Sequence, residues 1–201
     1  MTHAPSHPLD MLTGPEIIRA VEILRATGRV GDGALFASLV LREPDKADLA
    51  RWKPGDPVER RVRAVIVPGP EPAVVEATVD LGAGSVESWT EVDGVIPALL
   101  MTEAVNAIFT TKAHPDYVAA LERRGITGDL ADLVQIDPWP AGVFGYDCED
   151  GRRVARCISF LRDDATDNGY ARPIEGLFVH FDLGRNEVIE VSITIPHSVI
   201  Q

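Results

Sequence analysis

One short pattern occurs twice in this chain and limits what the chain can fold into. Val79-Asp80-Leu81-Gly82-Ala83-Gly84-Ser85-Val86 lines up with Phe181-Asp182-Leu183-Gly184-Arg185-Asn186-Glu187-Val188. Each copy is an apolar residue, Asp-Leu-Gly, a short turn and a Val that resumes an extended run. A glycine at a hairpin supplies positive φ, so local physics accounts for one such turn. Here both copies close a block that begins with a helix and continues as strands, which predicts two copies of one α+β unit.

In the first block, Thr13-Gly14-Pro15-Glu16 is a helix-start signature, with Thr13 as N-cap and Glu16 three residues on. Ile17, Val21 and Leu24 share one helical face with Ile18 alongside, and Gly28 stops the helix. Beta-like runs follow at Ala34 to Leu41, Val62 to Val67, Val74 to Leu81 and Val86 to Val92. Pro44 to Pro57, charged and proline-rich, reads as an exposed loop. The second block opens with helices from Thr102 to Ala113 and Pro115 to Arg124, the latter stopped by Gly125. Its strands are expected at Val134-Ile136, Val143-Tyr146, Val154-Leu161, Leu177-Leu183 and Val188-Ile195. The fold class is therefore α+β. Each helix should pack on one face of an antiparallel sheet, with alternation such as Val62, Ala64, Ile66 facing it. The boundary falls near Gly94 to Pro97, giving domains over 8–95 and 96–191 and a divergent or truncated tail over 192–201.

Hydrophobic residues make up 45% and charged residues 25% of the chain, the globular average, so a packed core is expected and disorder is not. A net charge of −12 argues against nucleic acid and anionic membrane surfaces as partners. No apolar run reaches the roughly 18–20 residues that span a bilayer. Met1 to Asp10 lacks both the basic start and the apolar stretch of a secretory signal, so the expected location is cytoplasmic. If Asp150-Gly151 is a hairpin tip, Cys148 sits opposite Arg153 and Cys157 opposite Phe144, too far apart for a disulfide. Two reduced thiols are expected.

A run of phrases in the second block carries a family resemblance. Asp137-Pro138-Trp139-Pro140-Ala141-Gly142-Val143-Phe144-Gly145 is followed by Gly151-Arg152-Arg153-Val154-Ala155-Arg156, then Tyr170-Ala171-Arg172-Pro173-Ile174-Glu175-Gly176-Leu177, then Phe181-Asp182-Leu183. In this order and spacing they resemble the third (N3) domain of the copper amine oxidases. His7-Pro8-Leu9-Asp10 and the helix after it resemble the same family's preceding N2 domain. The likeness runs from about Pro8 to Val191 and implies two tandem cystatin-like domains. The family catalyses oxidative deamination of primary amines by O₂, giving aldehyde, ammonia and hydrogen peroxide. Its copper and its topaquinone, made from a tyrosine, belong to a catalytic domain that follows these two.

The family's defining residues are an Asn-Tyr-Asp/Glu motif, three copper-binding histidines with two as His-x-His, and a catalytic aspartate. Converging imidazoles suit copper. Here His3, His7, His114, His180 and His197 include no His-x-His pair, and none of Tyr117, Tyr146 and Tyr170 follows Asn. No catalytic, cofactor-binding or metal-binding residue is therefore expected in this chain. The likeness implies a partner, an amine oxidase catalytic domain in cis or in trans, with an oligomer possible. The alternative is a stand-alone cystatin-like interaction module without enzyme activity.

Asp164, Thr166, Asn168, Gly169 and Glu175 come within one substitution of a calcium-loop template, but no helices flank them, and a surface loop is expected. Asp163, Asp164 and Asp167 read as solvated acids rather than an acid–base pair, and a salt bridge between Arg172 and Glu175 should brace the Tyr170–Leu177 turn. Trp139, between two prolines, is either a core plug or an exposed lip. In the resembled enzymes the loop matching Pro138 and Trp139 borders the channel by which the amine reaches the quinone. Trp52 and Trp89 read as loop and sheet-packing residues. Past Val191, Ile193, Ile195 and Val199 would form a sticky edge if unpaired.

Overall fold

The computed structural model describes residues 5–69, 71, 73–142 and 144–194. The chain divides into two compact units, one through Pro97 and one from Ala98. In the first, helix α1 spans Gly14–Ala26. Thr13 and Glu16 cap it reciprocally: Thr13 N–H donates to Glu16 Oε2 at 2.8 Å, and Glu16 N–H donates to Thr13 Oγ1 at 3.4 Å. Strand β1 (Leu35–Leu41), helix α2 (Lys46–Arg51) and strands β2 (Arg61–Val67), β3 (Val74–Asp80) and β4 (Ser85–Val92) follow. The strands form one antiparallel sheet in the order β1-β2-β3-β4. Val62, Ala64 and Ile66 of β2 and Val75, Ala77 and Val79 of β3 are buried with Ala20, Ile23 and Leu24 of α1. Each large aliphatic side chain so placed contributes on the order of 1.5–3 kcal/mol. The segment from Pro44 to Pro57 is not wholly loop. It carries α2, a short helix none of whose residues is buried.

The second unit contains α3 (Met101–Ala113), α4 (Pro115–Glu122) and a single turn α5 (Asp129–Asp132). Strands β5 (Val134–Pro140), β6 (Val154–Leu161), β7 (Pro173–Asp182) and β8 (Glu187–Ile193) form a second antiparallel sheet in the order β5-β6-β7-β8. Its core joins Ala107 of α3 and Tyr117, Ala120 and Leu121 of α4 to Val134, Ile136, Ala155, Cys157, Val179 and Phe181 of the sheet.

Three expectations are corrected here. β5 does not stop at Ile136 but runs through Pro138 and Pro140. It is an edge strand, so prolines can lack the outward N–H without breaking a ladder. No strand forms over Phe144 to Tyr146 (Val143 lies outside the described residues). Instead, the N–H groups of Phe144, Gly145 and Tyr146 donate to one oxygen of the Glu149 carboxylate at 2.7, 2.9 and 3.2 Å. A 3-10 turn over Asp147–Glu149 follows. Because β5 and β6 are joined by this longer excursion, Cys157 pairs with Pro138 rather than Phe144. Both thiols are free, and burial pushes that of Cys157 up to about 11. Ile193 ends β8 about half exposed, whereas Ile195, His197, Ser198 and Val199 lie outside the described residues.

The repeated Asp-Leu-Gly phrase has the same structural job in both units. Asp80 Oδ1 accepts from Ala83 N–H at 2.9 Å, and Asp182 Oδ1 accepts from the N–H groups of Gly184 and Arg185 at 2.9 and 3.0 Å. Leu81 N–H donates to the Arg60 carbonyl and Leu183 N–H to the Arg153 carbonyl. Each of these arginines in turn reaches the glutamate in the first turn of its unit's long helix. Arg60 Nε lies 2.7 Å from Glu16 Oε1, and Arg153 Nη1 lies 2.8 Å from Glu103 Oε1. The two units thus share a tie from turn to strand to helix start.

Candidate functional site

The face of the second sheet opposite its helices carries the most distinctive side chains. Alternation along β6 and β7 turns Ala155, Cys157, Val179 and Phe181 into the core. Cross-strand partners share a face, so Trp139, Arg156, His180 and Glu190 form a row across all four strands on the other side. Trp139 is 56% exposed and its indole N–H donates to Asp137 Oδ2 at 2.8 Å. It is a surface side chain on an edge strand, which overturns a core-plug role. Pro138 pairs with Cys157, one step out of phase with Trp139, so the strand sends the two residues to opposite faces.

Residues 144–149 fold over this row. The Arg156 guanidinium carbon lies 5.8 Å from the Phe144 ring centre and 5.6 Å from that of Tyr146, within cation–π range of both. Arg156 Nε donates to His180 Nε2 at 3.3 Å. His180 itself is only 4% exposed, with Phe178 edge-on at 5.5 Å and Tyr146 tilted at 6.1 Å. Burial, followed by the nearby Arg156 charge, lowers its pKa below the ordinary histidine value. Burial works against ionisation of Glu149, but its three backbone donors hold the carboxyl below the ordinary range. Phe144 and Arg156 lie within the resemblance-bearing phrases, but nothing in those phrases brings them together with Tyr146 and His180. The alternation in β6 and β7 was the one available signal for the two strand residues.

The acidic loop after β6 is internally satisfied. Arg172 pairs with Asp163 and Asp167, and its Nε donates to the Leu161 carbonyl at 3.1 Å. The expected Arg172–Glu175 bridge is not what braces this turn; Glu175 lies in β7, with its carbonyl facing Arg124. Asp164 Oδ1 accepts from both the N–H and the hydroxyl of Thr166. These carboxylates are committed to closing a loop.

In the first unit, a cleft of about 480 Å³ lies between α2 and the sheet, lined by Trp52 and a mixture of acids and arginines. Its charges are largely matched: Glu87 lies 3.1 Å from Arg61 and 3.7 Å from Arg42, and Glu59 lies 2.6 Å from Arg61. Trp52 packs edge-on against His7 at 4.8 Å, and Trp89 of β4 lies under the Arg29 guanidinium at 5.5 Å. Among the described residues, no group of three or more His, Cys, Asp or Glu side chains could hold a metal ion. A copper centre requires several converging imidazoles, and the described residues bring no such set together.

Comparison with known proteins accounts for both halves. Residues 13–89 match the family profile of the AGAO-like N2 domain, and residues 100–199 match that of the copper amine oxidase N3 domain. The chain is 40% identical over 187 residues to a primary amine oxidase of Arthrobacter sp. (strain P1), covering 92% of this chain and 28% of that protein. It is 36% identical over 191 residues to the copper-containing amine oxidase gamma 2 of Arabidopsis thaliana, covering 93% and 27%. A solved structure, a copper-containing benzylamine oxidase from Hansenula polymorpha, shares the fold with a TM-score of 0.79 at 18% identity, over 94% of this chain and 30% of that one. The chain thus spans under a third of the length of these relatives. With both units matched to successive domains of one kind of protein, the chain belongs to the copper amine oxidase family, of which it carries the N2 and N3 domains.

Proposed function

We propose that this chain is the non-catalytic N2/N3 region of a copper-dependent primary-amine oxidase, working beside a catalytic domain encoded in cis or in trans. The whole enzyme would convert a primary amine and O₂ to aldehyde, ammonia and hydrogen peroxide, with copper and topaquinone held outside these residues. The observation that carries this reading is the pairing of two matched N-terminal domains with a sequence that has neither Asn-Tyr-Asp/Glu nor His-x-His. Within it, Trp139 would border the amine's path, a reading supported by its exposure on an edge strand and by the indole hydrogen bond to Asp137. Pro138 fixes the strand backbone beneath it.

The first test is to read the codons after Gln201 in all three frames. An Asn-Tyr-Asp/Glu and a His-x-His in any frame support the reading; a stretch with neither directs attention to a partner-binding role instead. The second applies to an oxidase carrying this region. Trp139→Ala should change kcat/KM for bulky amines relative to methylamine while leaving the quinone yield intact. Unchanged discrimination removes the lip role.

A further inference from the structure

We infer that Arg156 and His180 form a pH-sensitive latch that holds residues 144–149 down on the outer face of the second sheet. The inference is independent of whether that face borders a channel. An arginine guanidinium is charged at any physiological pH and can only donate. Arg156 Nε approaches His180 Nε2 at 3.3 Å, so Nε2 must present its lone pair. The neutral ring therefore keeps its proton on Nδ1, a buried atom 3.7 Å from Glu190 Oε2.

A second proton on this ring has to go to Nε2. That turns the acceptor into a donor facing a donor, and places two positive charges within hydrogen-bond distance. Arg156 must then move. The aromatic rings of Phe144 and Tyr146 lean on its guanidinium, and Tyr146 also covers His180 itself. Displacing Arg156 thus takes the support from beneath the segment.

The groups facing His180 from each neighbouring element set the direction. Arg156 on β6 opposes protonation, and so does burial. Glu190 on β8 and Glu149 in the covering segment favour it, while burial pushes the nearby Cys148 thiol up and keeps it neutral. Opposition dominates, so the ring stays neutral in the folded state at pH values where a free histidine would already charge. The latch is closed at neutral pH and opens on acidification below the usual histidine range. Glu149 keeps its charge there, because its own pKa lies below the ordinary carboxylate value. Loss of the segment in this window therefore reports His180 rather than Glu149.

The test uses the 201-residue chain itself, titrated from about pH 8 down to about pH 4, past the usual histidine range. Imidazole nitrogen NMR identifies the His180 tautomer, and hydrogen exchange, corrected for its intrinsic pH dependence, follows the amides of Phe144, Gly145 and Tyr146. The expected result is an Nδ1–H tautomer at neutral pH, followed by loss of amide protection along the same curve as Nε2 protonation. In His180→Gln, whose side-chain carbonyl accepts from Arg156 at every pH, protection should stay flat. An Nε2–H tautomer at neutral pH overturns the inference. So does protection that survives the protonation of His180, or that falls equally in His180→Gln.

Discussion

Arg153 and Glu103 are almost fully out of water, and their charges meet at 2.8 Å. Removing one partner of such a pair leaves the other charge buried without compensation. Glu103→Ala should therefore destabilise the second unit by about 3–5 kcal/mol, read from urea unfolding. A cost under ~1 kcal/mol would mean that the pair is hydrated. Its counterpart, Glu16, is held down to about 2 chiefly by the hydrogen bond from Arg60, against an ordinary value of 4.5. A carboxylate depressed in the folded state stabilises fully above its unfolded pKa and loses that contribution as pH falls through the folded one. Glu16 should thus contribute on the order of 3 kcal/mol at neutral pH, lost between about pH 4.5 and about pH 2, and Glu16→Gln should flatten that part of the stability–pH curve. Half of this arrangement was legible in the sequence. Thr13-x-x-Glu16 announces the cap, but nothing local announces an arginine 44 residues away. Trp139 shows the reverse ambiguity, since two flanking prolines do not tell a plug from a lip. Exposed as it is, Trp139→Ala should change thermal stability by no more than about 0.5 kcal/mol.

At the scale of elements, β1 to β4 and β6 were readable from their apolar runs, whereas the second half of β5 and the short α2 were not. β2 and β6 show their buried faces directly as Val62, Ala64, Ile66 and as Ala155, Cys157. β5 hides its second half because Pro138 and Pro140 look like turn residues until the strand is known to be an edge. α2 has no buried face, so no periodic signal existed to find it. β7 begins with an irregularity that only glycine tolerates. Gly176 has φ +65°, and a Cβ there would sit 2.0 Å from the Thr194 carbonyl oxygen, whose residue donates its own N–H back to Gly176. Gly176→Ala should cost at least ~1–2 kcal/mol from the left-handed backbone alone, with the steric clash added. Scanning calorimetry of the variant checks this, and an unchanged midpoint would mean that the β7–β8 end is not held as described.

For the whole molecule, each unit draws its core from its own residues: the first from α1 and β1 to β4, the second from α3, α4 and β5 to β8. A fragment ending at Pro97 should therefore give a dispersed amide NMR spectrum by itself. The fold and the family were legible because a duplicated turn and a long run of ordered phrases span nearly the entire chain. The proposed oxidase chemistry was not, since the sequence holds neither Asn-Tyr-Asp/Glu nor His-x-His. The most direct measurement of that central claim is to purify the chain, incubate it aerobically with Cu(II), remove loosely bound metal, and assay both copper content and quinone redox-cycling. The account predicts neither stoichiometric copper nor a quinone signal. One tightly held copper per chain together with quinone absorbance would contradict it.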